Sequence, residues 1–141
     1  MAANMAADID TFLERWHAIV ATKDLDGLRR ILADDVRLGA PPYWSKLEGV
    51  DLVCHLLGLV ITTIEGFTYH REWRSEDGVA LEFTGRVGEQ ELQGVDLIAL
   101  NADGKVTSLD VPMRPVNSVV ALQKAIAPRM EAYLSGQTVA R

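Results

Sequence analysis

The chain has 141 residues, 48% of them hydrophobic and 24% charged, and a formal net charge of −6. That length suits one ordinary domain, which hides roughly two-thirds of its unfolded surface and needs no disulfide or metal staple. No stretch is basic enough to follow a phosphate backbone, which excludes nucleic acid as an expected partner, and the mild acidity serves solubility.

Helical periodicity dominates the first half. Ile9, Phe12, Leu13, Trp16, Ile19 and Val20 fall on one helix face, with Asp8 or Asp10 available as the N-cap. A shorter helix follows, with Leu25, Leu28, Ile31 and Leu32 as its face, Asp24 as its cap and Asp34-Asp35 at its end. Val36-Arg37-Leu38 reads as a short strand entering the loop Gly39-Ala40-Pro41-Pro42-Tyr43-Trp44. Gly49 precedes a third helix that carries Leu52, Val53, Leu56, Leu57, Val60, Ile61 and Ile64 at helical spacing.

At Gly66 the period changes to that of strands. We expect strands over Phe67–Arg74, Val79–Val87, Glu91–Leu100 and Lys105–Arg114, separated by glycine-bearing turns. A last amphipathic helix is expected from Val116 to about Leu134, kinked or shortened at Pro128, with a frayed tail after Gly136. Segregated helices and strands imply an α+β fold: one domain over 1–141, core about 8–134, its helices on the concave face of a curved, mostly antiparallel sheet. The mouth of such a cone is where small ligands bind.

The only cysteine, Cys54, rules out an internal disulfide and a cysteine-based zinc site, and its apolar helical context reads as a buried, inert thiol. The N-terminal MAANMAADID lacks a cationic segment and an apolar core of the secretory kind, and no stretch reaches the ~20 apolar residues of a membrane span. The expected setting is a reducing cytoplasm, without a membrane partner.

Several motifs then fall in a recognisable order. Leu32-Ala33-Asp34-Asp35-Val36 forms a helix-to-strand junction, Pro42 and Leu47-Glu48-Gly49 lead into the third helix, and Gly94-Val95-Asp96-Leu97-Ile98 is followed by Asp103-Gly104-Lys105-Val106. Over about residues 8 to 115 the chain resembles the nuclear transport factor 2-like superfamily, the cystatin-like cone that includes ketosteroid isomerases and SnoaL-like polyketide cyclases. The resemblance implies the cone fold. It also implies an acid at Asp96, which matches the oxyanion-hole acid of the isomerases and the acid/base aspartate of the cyclases. The isomerase tyrosine of the first helix is matched by Trp16, which donates one N–H but is no phenol, and the isomerase base position by Ala40. Steroid isomerisation of that type is therefore disfavoured. So is epoxide hydrolysis of the limonene-epoxide hydrolase kind, because Leu92-Gln93-Gly94 precedes Val95 where an Arg-x-Asp arrangement would stand.

Asp96 stands between Val95 and Leu97-Ile98. A carboxylate in an apolar run is costly unless hydrogen-bonded, neutral or open to pocket water. Burial would raise its pKa toward neutrality, as an acid/base group requires, whereas a structural role would be to satisfy buried N–H groups. Trp16, Tyr43 and Trp44 border the expected mouth, either as an aromatic wall for an apolar ligand or as core and loop packing. Phe83, Leu109, Val111 and Met113 supply an apolar lining or plain core. His70, on the first long strand, pairs with Asp96 if it faces inward; Phe67, Tyr69 and Trp73 compete for that face. His17 and His55 have no second ligand at metal spacing, so neither metal nor organic cofactor is expected. No nucleophile elbow is present, and Gly85, Gly88 and Gly94 form no phosphate cradle.

These readings converge on a pocket protein for a small apolar carbonyl- or ring-bearing metabolite. If it is catalytic, it is a cofactor-independent isomerase, cyclase or lyase using Asp96; the alternative is a non-catalytic ligand-binding or dimerisation module. Should Asp96 point inward, Val95, Leu97 and Ala99 point outward, and an apolar stripe there implies a two-fold homodimer through the outer sheet face.

Overall fold

Alanine-rich sequence ahead of the first apolar stripe extends helix α1 from Ala2 to Thr22 in the computed structural model, which describes residues 2–139. Neither Asp8 nor Asp10 therefore caps it, and the Asp10 carboxylate instead meets the Arg74 guanidinium. The expected stripe is realised: Ile9, Phe12, Leu13, Trp16 and Ile19 are buried. Helix α2 (Leu25–Ile31) starts at Asp24, whose Oδ1 accepts from the Gly27 N–H at 3.0 Å. Strand β1 begins at once and runs Leu32–Gly39, longer than its sequence suggests, with Asp34 and Asp35 exposed within it. The short strand β2 (Leu47–Glu48) leads through Gly49 into α3 (Val50–Thr63).

The second half supplies β3 (Glu65–Arg74), β4 (Gly78–Val87), β5 (Gln90–Leu100), β6 (Val106–Asp110), β7 (Met113–Arg114) and α4 (Val116–Val139). The sheet order is β2-β1-β6-β5-β4-β3, with β7 also paired to β5. Neighbours from β3 to β6 are antiparallel, while β1 joins β6 in parallel. At the β5–β6 turn Gly104 takes φ +78°, a conformation L side chains disfavour, and its N–H donates to the Asn101 carbonyl at 3.0 Å. The expected strand 105–114 is interrupted at Val111-Pro112, because Pro112 has no N–H for the ladder. Its register on β5 nonetheless persists, with Leu97 opposite Asp110 and Gly94 opposite Met113.

Register shifts bend this sheet. They fall in β3 between Glu65 and Thr68 and again between Tyr69 and Glu72, in β1 between Leu32 and Arg37, and in the β5–β6 pair between Ala99 and Leu100. Each extra residue kinks its strand and strengthens the twist, so the sheet curls around α1 and α3. One apolar cluster fills the concavity, joining Phe12 and Trp16 of α1, Val53 and Leu57 of α3, and Leu81, Phe83, Ile98 and Leu109 of the sheet. Helix α4 adds Leu122 and Ile126. Helix α4 passes Pro128 as expected and is longer than the expected end near Leu134, continuing to Val139; on this exposed stretch the proline forfeits one backbone hydrogen bond without breaking the helix. No helix among the described residues is long and apolar enough to cross a membrane.

Two glycines should respond oppositely to alanine. A Cβ at Gly94 would lie 2.4 Å from Phe83 Cζ and 2.8 Å from Met113 Cγ, so Gly94→Ala should cost about 1–3 kcal/mol by overpacking. A Cβ at Gly136 in α4 meets nothing within 4 Å, so Gly136→Ala should gain about 0.5 kcal/mol through helix propensity. Thermal melts of the two variants check both signs; equal shifts would contradict this account of the inner face.

Candidate functional site

Alternation along β5 places Leu92, Gly94, Asp96 and Ile98 on the buried face. Asp96 is 6% exposed, and Leu81 stands opposite it on β4. Across the sheet, Tyr69 of β3 faces Phe83 of β4, and Phe83 faces Gly94. The missing side chain at Gly94 lets the Phe83 ring lie over the strand. The Tyr69 hydroxyl reaches Asp96 and donates to its Oδ2 at 2.7 Å, while Trp16 Nε1–H of α1 donates to the same hydroxyl oxygen at 2.9 Å. Phe67 stacks on Phe83 at 4.7 Å, and the His17 ring meets Tyr69 edge-on at 5.1 Å, which fixes the phenol from its sides.

Burial among these apolar groups pushes the Asp96 carboxyl up to about 7, against the opposing effect of the Tyr69 hydrogen bond. The Tyr69 phenol is raised well above its usual range, first by burial and then by the neighbouring Asp96 charge. Among the described residues no other group hydrogen-bonds the Asp96 side chain. Tyr69 has already spent its only proton on Asp96, so Asp96 is the group left to exchange a proton with anything beside it.

Beside it lies a cavity of about 50 Å³, lined by Trp16, Leu38, Ala40, Leu56, Leu57, Val60, Ile61, Phe67, Tyr69, Phe83, Asp96, Val111 and Met113. This is far below the roughly 300 Å³ or more of an ordinary small-molecule site. Most of the expected cone is filled by side chains.

Of the residues singled out from sequence, Asp96, Trp16, Phe83, Val111 and Met113 meet at this cavity. Leu109 does not; it is fully buried in the core behind the lining. His70 faces the other way, its Nε2 2.7 Å from Thr84 Oγ1 on the outer sheet face. Plain alternation from Tyr69, which keeps the inner position, sends His70 outward, and the bulge between Tyr69 and Glu72 sends Arg71 outward beside it. Tyr43 and Trp44 are 69% and 98% exposed and flank a separate groove that shares Ala40 and Val111 with the cavity. Tyr69 is the group that sequence reasoning passed over, although its spacing from Phe67 is that of one strand face.

The outer face carries a second carboxylate in the opposite state. Glu82 accepts from Arg71 Nε at 2.9 Å and Nη2 at 2.7 Å and from Gln93 Nε2 at 2.9 Å, and the Arg71 pairing lowers its carboxyl to about 2. Elsewhere, Cys54 on α3 lies against the Leu25 carbonyl, and burial pushes its thiol up. Among the described residues no group of three or more His, Cys, Asp or Glu side chains could hold a metal ion.

Comparison with known proteins agrees with this fold. Residues 13–109 match the family of the SnoaL-like domain. A steroid delta-isomerase from Pseudomonas aeruginosa superposes with a TM-score of 0.86 at 36% identity, over 92% of this chain and 96% of that one. An uncharacterised bacterial protein with a cystatin-like fold from Silicibacter pomeroyi gives 0.80 at 37% identity, over 84% of each chain. A putative ketosteroid isomerase from Kribbella flavida, at 16% identity and a TM-score of 0.64 over 78% of this chain and 80% of that one, shows the shared fold alone. No curated protein matches the chain. With a cone of four helices on a curled, mostly antiparallel sheet and relatives at 36% and 37% identity, the chain belongs to the SnoaL-like family of the nuclear transport factor 2-like superfamily.

Proposed function

We propose that this single domain binds a small, largely apolar carbonyl compound in the cone, and that Asp96 acts there as a cofactor-independent acid/base for isomerase, cyclase or lyase chemistry. The observation that carries this reading is a carboxyl raised to about 7 on an apolar cavity, at the end of the Trp16–Tyr69–Asp96 hydrogen-bond chain. Near neutral pH both protonation states are populated, which suits proton transfer in either direction. The Asp96 carboxylate takes a proton from the carbon beside the ligand carbonyl and, once protonated, returns it. Tyr69 stabilises the charged form through Oδ2 and holds the carboxyl in place; Trp16 holds Tyr69. The likeness to a steroid delta-isomerase supports chemistry at a carbonyl. Ala40 in the cavity wall supplies no second base, which favours a one-residue shuttle over the isomerase arrangement.

A cavity of only about 50 Å³ favours a second reading, a dimerisation or binding module with Asp96 as polar anchor. For the first reading a ligand has to displace lining side chains, of which Met113 is the most adaptable. In either reading we infer a two-fold dimer through the outer sheet face, where Trp73, Ala80 and Leu97 align across three strands, Trp73 48% and Leu97 43% exposed. The lone buried thiol of Cys54 suits a cytoplasmic setting.

Asp96→Asn separates the two readings. The folded carboxyl titrates above an unfolded one, so the native state keeps its proton while the unfolded state loses it. Parent stability therefore falls as pH rises from about 4 to about 7, by up to about 4 kcal/mol, and then levels off. Asp96→Asn lacks this loss, so its advantage in thermal melts should grow across that window and stay constant above it. Uptake of deuterium beside the carbonyl of apolar ketones and lactones should occur with the parent and be abolished in Asp96→Asn. Exchange that persists in the variant would rule out Asp96 as the acid/base, and ligand binding without exchange in the parent would favour the anchor reading.

For the assembly, sedimentation at tens of micromolar should give a dimer for the parent and a monomer for Leu97→Arg, since charge on that stripe opposes burial. A parent that sediments only as a monomer contradicts the interface.

A further inference from the structure

We propose that Trp44 anchors the two-fold assembly, the indole of each copy seating in the groove on the outer sheet face of the other, over Ala80 and Leu97 and against Trp73. This rests on the reading of that face as a homodimer interface and adds the residue that holds it.

Strand alternation and register put knob and groove on one face. The outward residues Trp73, Ala80, Leu97, Asp110 and Gly39 stand in one row across β3, β4, β5, β6 and β1. Toward the β3 end of the row, small residues at Gly78, Ala80, Ala99 and Ser108 leave a groove of about 370 Å³ with Trp73 and Leu97 in its walls. At the other end the chain leaves β1 at Gly39 and turns through Pro41-Pro42 into the loop of Tyr43 and Trp44. Trp44 is 98% exposed and borders the groove of about 700 Å³ together with Gly39 and Asp110. Asp110 borders both grooves, so the bare indole and the smaller groove lie on either side of β6 at one level along the strands.

That placement is self-complementary. A two-fold axis lying along β6, in the plane between two outer faces, carries the β1 side of one copy over the β5–β3 side of the other. Each indole then meets the other copy's groove, and the contact is made twice. Within one chain the two cannot meet, since they lie on opposite sides of β6. Charge does not oppose the approach: near the axis Lys46 Nζ answers Asp110 at 3.1 Å, and Arg37 stands opposite Glu48. Tyr43, whose hydroxyl accepts from Gln123 Nε2 at 3.1 Å, ties the loop to α4 and holds the knob in place. A bare tryptophan is the residue type that gains most from burial at an interface. Two indoles at up to ~250 Å² each, with a like area of groove wall, remove roughly 1,000 Å² from water, which reaches the size of a specific contact before the rest of the face is added.

The test is sedimentation of the full chain over a concentration series. Trp44→Ala should weaken the dimer at least about thirtyfold, the effect of removing an interface anchor, and Trp44→Phe should weaken it less. In the Leu97→Arg monomer, Trp44→Ala should leave the melting temperature unchanged, because the indole touches little of its own chain. Ala80→Gln, which fills the groove at a distance from the loop, should weaken the parent dimer but add little to Trp44→Ala, since both remove one contact. On dilution of the parent, tryptophan emission should move to the red and become more open to acrylamide; Trp73→Phe should keep that change and Trp44→Phe should lose most of it. A parent dimer that Leu97→Arg breaks and Trp44→Ala leaves intact overturns the anchor and keeps the outer-face dimer. Fully additive effects of Trp44→Ala and Ala80→Gln overturn the pairing of indole with groove. A parent that is only monomeric, or a dimer indifferent to Leu97→Arg, overturns the anchor and the outer-face dimer together.

Discussion

The carboxyl of Asp96, buried on the inner face of β5 and held by a single side-chain hydrogen bond from Tyr69, is the constraint on which the rest of the site depends. An ionised carboxylate in such surroundings is expensive, and a fully paired one would titrate low and be inert near neutral pH. Asp96 sits between these limits: one phenol donor steadies it, and apolar neighbours keep its proton affinity high. Neighbouring features follow from this need. Gly94 gives the Phe83 ring its place, Phe67 and His17 flank Tyr69, and Trp16 fixes the phenol so that its proton is directed at Asp96.

The two faces of one sheet treat their carboxylates in opposite ways. Glu82, one strand away and outward, receives a two-pronged guanidinium and an amide and becomes a strong acid locked in a network. Asp96, inward, receives no cation. The sheet thus separates a carboxylate suited to structure from a carboxyl suited to proton transfer, and strand alternation alone decides which residue has which fate. The bulge in β3 completes the division, since it puts Arg71 on the outer face beside His70, within reach of Glu82.

The inner cavity is small because the cone is lined by long aliphatic and aromatic side chains that reach its axis. Ligand entry then competes directly with core packing, because lining side chains such as Leu56 and Met113 would have to move aside. The adjoining groove is wide and polar, with an aromatic wall already exposed.

Much of the fold was legible in the chain itself. Helical spacing from Ile9 to Val20 and from Leu52 to Ile64, glycine-bearing turns, and two-residue alternation from Phe67 onward set the elements and the α+β class, because these periods are properties of local geometry. Alternation along β5 likewise set Asp96 against Val95 and Leu97. Local signals failed where one residue more or less in a strand changes everything after it. His70 was given the inner face as one option because Phe67, Tyr69 and Trp73 could not be ranked for it, and the bulge that turns Arg71 and Trp73 outward exists only through pairing with β4. For Leu109 the sequence left lining and core both open, and it is core, since depth depends on which elements pack in front of it. Proline at 128 was expected to kink or shorten the last helix, which runs past it to Val139. The sequence by itself determined the elements, the cone and the acid; the bulges and the packing of α1 on the sheet decided which groups meet that acid, because three-dimensional neighbours, not sequence neighbours, set its solvation and its hydrogen bonds.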